Sequence, residues 1–229
     1  MTLTRISCLI LSACACAATA SAGAFSFSGA FTQDDQFQVF LFTAATPDAL
    51  VQTWSYAGGT NANGTVIPSG GFDPILTVFD ATGGLSASSL LIGQNNDGPT
   101  CPTGAPNCVS ADVNTGMALD SLLTLTGLNV GGTYAVVLTQ ADNSAIGPNY
   151  GAGFTEAGQG NFTSSLYPCG QAGFCDAGLN ARNGNWAVDI TGVTSAAASG
   201  VPEPGTVFFL TSGLAGLGWL RRKRRAGQA

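Results

Sequence analysis

Gly131-Gly132-Thr133-Tyr134-Ala135-Val136-Val137-Leu138-Thr139-Gln140 is the stretch that decides the fold class. Two glycines make a turn, and the run after them is rich in β-branched and aromatic residues. It is too short for a buried helix and is bounded by turn signals, so it reads as a strand over Thr133–Gln140. Segments of the same kind flank it at Gln36–Thr43, Ala49–Tyr56, Pro74–Phe79, Leu90–Gln94, Ser121–Thr126 and Trp186–Ile190. Turn residues separate them: Gly58-Gly59, Asn63-Gly64, Gly83-Gly84 and Asn96-Asp97-Gly98. Period-2 alternation dominates and no long 3.6-residue period appears, so an all-β antiparallel sandwich is expected. Phe25, Phe27, Phe31, Phe37, Phe40, Phe42, Trp54 and Trp186 read as its core, not as a ligand-stacking stripe.

Charge narrows the function classes. The chain has 229 residues and a net charge of −6, yet the basic residues sit almost entirely at the two ends. Between residues 23 and 200 only Arg182 opposes twelve acids, a formal charge of −11. Phosphate binding needs clustered Lys and Arg, so nucleic acid is excluded as a partner of this body. Acidity of this kind also keeps an exported protein soluble. There is no His anywhere. That removes the Ser-His-Asp and Cys-His constellations and the usual nitrogen ligand for zinc, so the chain is read as a non-enzyme.

Met1 to Ala22 carries one base, Arg5, then an apolar run from Ile6 and small residues ending Ala20-Ser21-Ala22. This is the pattern of a signal peptide, with cleavage after Ala22 and a second A-x-A site ending at Ala24. The Sec translocon and signal peptidase are the implied partners. Leu11-Ser12-Ala13-Cys14 offers a rival reading as a lipobox, which would make Cys14 a lipidated terminus. Cleavage after Ala22 removes Cys8, Cys14 and Cys16 and leaves Cys101, Cys108, Cys169 and Cys175. Four cysteines allow three connectivities. Pairing within each loop, Cys101 with Cys108 and Cys169 with Cys175, is the first choice. Their spacing does not match the C-x2-C of zinc sites, and disulfides suit an exported protein. These pairs would staple the Gly-rich loops 99–118 and 142–185.

The other end has a different logic. Residues 196–200 (Ala-Ala-Ala-Ser-Gly) read as a linker and lead into Val201-Pro202-Glu203-Pro204. A mostly apolar segment, Gly205 to Leu220, follows, and then Arg221-Arg222-Lys223-Arg224-Arg225, with residues 226–229 as a cytoplasmic tail. Sixteen helical residues rise about 24 Å against a hydrocarbon core of about 30 Å, so the span is marginal. The basic block sets its topology, staying in the cytoplasm while the body faces out.

Val201-Pro202-Glu203-Pro204-Gly205, the apolar stretch and Arg221–Arg225 together resemble the PEP-CTERM sorting domain of Gram-negative bacteria. The resemblance implies recognition over residues 201–225 by an exosortase, an integral-membrane cysteine transpeptidase, with cleavage near Pro202, Glu203 and Pro204. It implies a transient inner-membrane anchor and a destination at the cell surface or in an exopolysaccharide or biofilm matrix. A second likeness covers roughly residues 30–140. Phe72–Asp80, Leu91–Gly98, Asp120–Leu123 and Gly132–Val137 are similar in order to the bacterial pre-peptidase C-terminal-type domain. That resemblance implies a jelly-roll-like sandwich over 23–195, acting as an accessory binding or stabilising module. Some such modules bind Ca2+, whereas this chain has Asn95-Asn96-Asp97-Gly98 where Asn-Asp-Asp-Gly is usual.

Calcium is the only cofactor to consider. It takes six to eight oxygen ligands, and Asp73, Asp80 and Asp97 at strand ends are the candidates. The same residue types also make turns and Asx caps. The function expected from sequence is therefore a sorted, non-catalytic surface or matrix protein. The alternative is a carbohydrate- or calcium-binding module.

Overall fold

The computed structural model describes residues 21–101 and 107–199. The expected signal segment up to residue 20 and the expected sorting segment from residue 200, with Pro202, Glu203, Pro204 and Arg221–Arg225, lie outside the described residues.

The described residues fold as antiparallel β-structure with two disulfides, a short α-helix and a single 3-10 turn at Tyr150–Ala152. Its strands are β1 (Gly23–Ala30), β2 (Gln38–Ala44), β3 (Ala49–Thr53), β4 (Gly59–Thr60), β5 (Val66–Ile67), β6 (Pro74–Asp80), β7 (Leu91–Asn95), β8 (Leu122–Leu125), β9 (Thr133–Gln140) and β10 (Asn185–Ser199). The helix α1 is Thr163–Leu166. All but β4 and β5 join one sheet in the order β7-β6-β9-β2-β10-β3-β8, with β1 added to β10. The expected sandwich therefore takes the form of one sheet that curls back on itself.

β10 makes the curl. Its first part, residues 185–193, pairs with β1 and also with β3, while residues 193–199 pair with β2. The switch falls at a register shift between Val193 and Ser195. Just before it, Gly192 has φ +80°, and a Cβ there would stand 2.6 Å from the Asp48 carbonyl oxygen. Only glycine fits so close an approach in that backbone region. The bend lets β1 and β2 face each other across the core, with the rings of Phe27 and Phe40 4.9 Å apart.

On the far side the end strands β7 and β8 are not paired along their length but are joined where they reach the long loops. Ser121 Oγ hydrogen-bonds the carbonyls of Pro74 at 2.7 Å and Asn95 at 2.9 Å, and the Leu122 amide donates to Asn95 Oδ1 at 3.0 Å. The sheet is nearly closed, which removes most of the edge that an open sheet would expose.

Alternate residues point inward, as the period-2 pattern requires. Phe40 and Phe42 of β2, Leu76 and Val78 of β6, Val136 and Leu138 of β9, and Trp186, Val188 and Ile190 of β10 share the central cluster. A second cluster on the outer face of β2, β6 and β9 contains Val39, Phe79, Val137 and Phe154. Part of the long segment after β9 covers it, so β6 and β9 are buried on both faces. This explains why the opening stretch reads as a nearly continuous apolar run.

One strand is added to those expected and one expectation needs correction. Gly23–Ala30, which supplied Phe25 and Phe27, is a full strand paired along β10. The proposed linker 196–200 is no linker through Ser199: Ala196 pairs with Phe42, Ala197 with Leu41, Ala198 with Phe40 and Ser199 with Val39. Small side chains suggested flexibility, but backbone hydrogen bonding to β2 makes them a strand end.

The molecule has two unlike poles. The turns joining β2 to β3, β6 to β7 and β8 to β9 are short and lie at one pole with Gly192. The segments 31–37, 54–73, 96–121 and 141–184 all leave from the other, where Thr53, Pro74, Asn95, Ser121 and Gln140 come together. Ser199 ends β10 at this loop pole.

Candidate functional site

The loop pole carries most of the buried acidic groups. Asp34, Asp73, Asp112, Asp120, Asp176 and Asp189 are buried. Half of the body's twelve acids are thus inside, which the surface-solubility reading did not anticipate. A buried carboxylate must find donors, and here the backbone amides of long loops supply them.

Asp120 shows the pattern. Its Oδ1 accepts from Thr53 Oγ1 at 2.8 Å and from the amides of Ser55 at 2.6 Å and Tyr56 at 3.0 Å. Its Oδ2 accepts from the Ala57 amide at 2.8 Å. Burial raises its pKa, and these four donors act against that rise. Asp34 does the same for the segment after β9, accepting from the amides of Phe174 at 2.6 Å and Thr163 at 2.9 Å and from the Thr163 hydroxyl. Thr163 opens α1, so Asp34 fixes a helix start that lies 129 residues away in sequence.

Arg182, the body's single base, ties three loops together. Its Nε donates to the Gly71 carbonyl at 3.0 Å and its guanidinium to the Tyr56 carbonyl at 2.5 Å. The same group meets Asp112 at 3.4 Å and stacks over the Tyr56 ring at 3.8 Å. Burial works against the Asp112 carboxylate. The amides of Thr115 and Asn114 and the Arg182 charge outweigh it and hold its pKa below the ordinary value. Tyr56 donates its hydroxyl to Asp176 at 2.6 Å. Its own pKa is pushed far up, first by burial and then by that bond. The sequence marked Arg182 only for its solitude; a lone base among twelve acids was the signal that it pairs internally.

The calcium candidates do not converge. Asp73 precedes the first residue of β6 and Asp80 is its last, so they are separated by the strand's length, about 23 Å. Asp80 accepts from the Thr82 amide and lines a narrow groove where β7 and β8 diverge near the short turns. Asp80 is thereby removed from the set. Asp73 and Asp97 remain together at the loop pole. Burial, then the Asp97 charge, raises the Asp73 pKa well above the ordinary value. Asp73 Oδ1 has no hydrogen-bond partner, nor has Gln140 Oε1, and Gln140 pairs in register with Pro74. Among the described residues no group of three or more His, Cys, Asp or Glu is placed to hold a metal ion.

Both disulfides take the local pairing, Cys101 with Cys108 and Cys169 with Cys175. Ala22 is exposed immediately before β1. No helix among the described residues is long and apolar enough to cross a membrane.

Residues 200–225 match the PEP-CTERM protein-sorting motif. The match begins directly after the last residue of β10 and covers the tail alone. No curated protein matches the chain.

Proposed function

We propose that this chain is a non-catalytic structural or interaction protein of the bacterial surface or extracellular matrix, delivered there by exosortase processing. The sorting motif itself marks a secreted protein, transiently anchored in the membrane and then processed. The destination at the surface, and an association with exopolysaccharide or biofilm, are the further steps of the reading. The observation that carries it is the position of the motif: it follows a folded, disulfide-stapled β-domain at once, so the tail can be cut without entering the body. A non-catalytic role is supported by the absence of His and by the use of the buried carboxylates as acceptors for loop amides.

Replacing Pro202, Glu203 and Pro204 with alanine tests the processing step. The two prolines deny this peptide helical hydrogen bonds and keep it accessible to a membrane enzyme. The variant should stay in the membrane fraction with a C-terminal epitope attached, while the wild type loses that epitope. Identical behaviour of the two would make the tail a plain anchor.

A second reading, a carbohydrate- or calcium-binding accessory module, draws on Asp73. A buried carboxylate oxygen without a donor, close enough to feel the Asp97 charge, is a place where a divalent cation would supply the missing partner. A ligand bound only by the folded state raises its melting temperature. Melting in millimolar Ca2+ should exceed melting in chelator, and equal temperatures sink the calcium form. Binding on a glycan array would favour the carbohydrate form.

A further inference from the structure

We infer that the free edge of β1 pairs with β1 of a second copy of this chain, joining two bodies across a two-fold axis. The Trp54 amide donates to the Ala187 carbonyl at 2.9 Å, so Ala187 turns its backbone groups toward β3. Strand alternation then turns those of Trp186, Val188 and Ile190 toward β1, where their partners in register are Gly29, Phe27 and Phe25. The Phe31 amide, which donates to the Gly184 carbonyl at 2.8 Å, continues the series. Ala24, Ser26, Ser28 and Ala30 therefore turn their N–H and C=O groups away from the sheet, and among the described residues no strand lies on that side. Phe25 and Phe27 face the core but are only half-buried, because the sheet stops beside them.

Edge strands are normally guarded by shortness, a charge, a proline or a bulge. β7 and β8 have five and four residues and are tied together through Ser121 and Asn95. β1 has eight, with neither charge nor proline, and its register shift is confined to its first residue. The one acid of β10 that lies opposite it, Asp189, is turned to Ser26 Oγ, Trp54 Nε1 and the Ala62 amide. Neither copy therefore brings an exposed charge to the pairing strands, although the body as a whole is acidic. What selects a second copy is self-complementarity. An antiparallel pair centred on Phe27 sets Ala24 opposite the partner's Ala30 and Ser26 opposite the partner's Ser28. Every outward amide then meets an outward carbonyl, and the facing side chains are small. The same strand serves both copies, as a two-fold interface requires, and the two Phe27 side chains become neighbours at the axis.

The test uses the mature protein recovered from an exporting host, as wild type and as Ser28→Pro. Proline is tolerated on an edge strand where its missing N–H faced outward, and here it removes one pairing donor and puts a ring in the seam. Light scattering should give the wild type the mass of two chains, returning to one on dilution, and Ser28→Pro the mass of one chain throughout. Amide hydrogen exchange of the wild type adds a reading that needs no variant. The amides of Ala24, Ser26, Ser28 and Ala30 should exchange several-fold more slowly in concentrated protein than in dilute protein. If Ser28→Pro does not fold, this measurement decides. A wild type that stays monomeric at every concentration overturns the inference, as does a dimer that Ser28→Pro leaves intact. So do four amides that exchange alike at both concentrations: fast exchange puts any contact elsewhere, and slow exchange means that another segment of the same chain occupies the edge.

Discussion

Asp120→Ala should be among the most damaging single substitutions in the body, and its cost follows from the donors it strands. Three amides, of Ser55, Tyr56 and Ala57, and the Thr53 hydroxyl lose their acceptor together at a buried site. Each unsatisfied buried donor costs about 1–3 kcal/mol. The fourfold sum overstates the loss, because the vacated space admits water and because a buried carboxylate no longer has to be desolvated. A net cost of about 3–5 kcal/mol results, similar to removing one partner of a buried ion pair. Against a total stability of about 5–15 kcal/mol, this lowers the melting temperature by about 10 °C for a body of this size. Asp120→Asn keeps an oxygen at the Oδ1 position for three of the four donors and should cost about 1–2 kcal/mol. Urea titration followed by the fluorescence of Trp54 and Trp186 measures both. An Asp120→Ala midpoint within about 0.5 kcal/mol of wild type, or an Asn variant weaker than the Ala variant, would refute the view that this carboxylate organises the loop pole.

Asp73→Asn should become increasingly stabilising, relative to wild type, as pH rises. The folded-state pKa of Asp73 is raised, so between the unfolded value of about 3.9 and the folded value the native state holds a proton that the unfolded state has released. Wild-type stability falls through that window, and asparagine does not titrate. A difference between the two proteins that stays constant from pH 4 to pH 7 contradicts this. Opening either disulfide should cost about 2 kcal/mol from the entropy of a loop whose ends are six or seven residues apart. Non-reducing peptide mapping should return the two local pairs, and a 101–169 cross-link would break the assignment.

Seven of the sheet strands were legible because each combines a β-forming run with a turn that glycine or asparagine marks. Thr133–Gln140 matches its observed bounds, and Pro74–Phe79 differs by one residue. β1 was not legible, since Gly23, Ser26, Ser28, Gly29 and Ala30 dilute its phenylalanines and its pairing partner is 163 residues distant at Asp189. The end of β10 failed for a related reason. Ala196-Ala197-Ala198-Ser199 has no strand signal of its own, and β2 alone supplies it. The carboxylate scaffold was out of reach for a deeper reason: its donors are mostly backbone amides, which every residue carries, so nothing in side-chain identity announces them. For the calcium candidates, the spacing of Asp73 and Asp80 already showed that these two could not share an ion. Seven residues along an extended strand is too far for one ion.

The intact mass of the mature protein recovered from an exporting host tests the central claim most directly. Processing at both ends predicts a polypeptide that starts at Gly23, the first residue of β1, and ends close to Pro202-Glu203-Pro204, with both disulfides formed. Its mass lacks the apolar segment and Arg221–Arg225 entirely. A mature chain that still contains Arg221–Arg225 would contradict the account, and a diacylated Cys14 at its start would contradict the amino-terminal half of it.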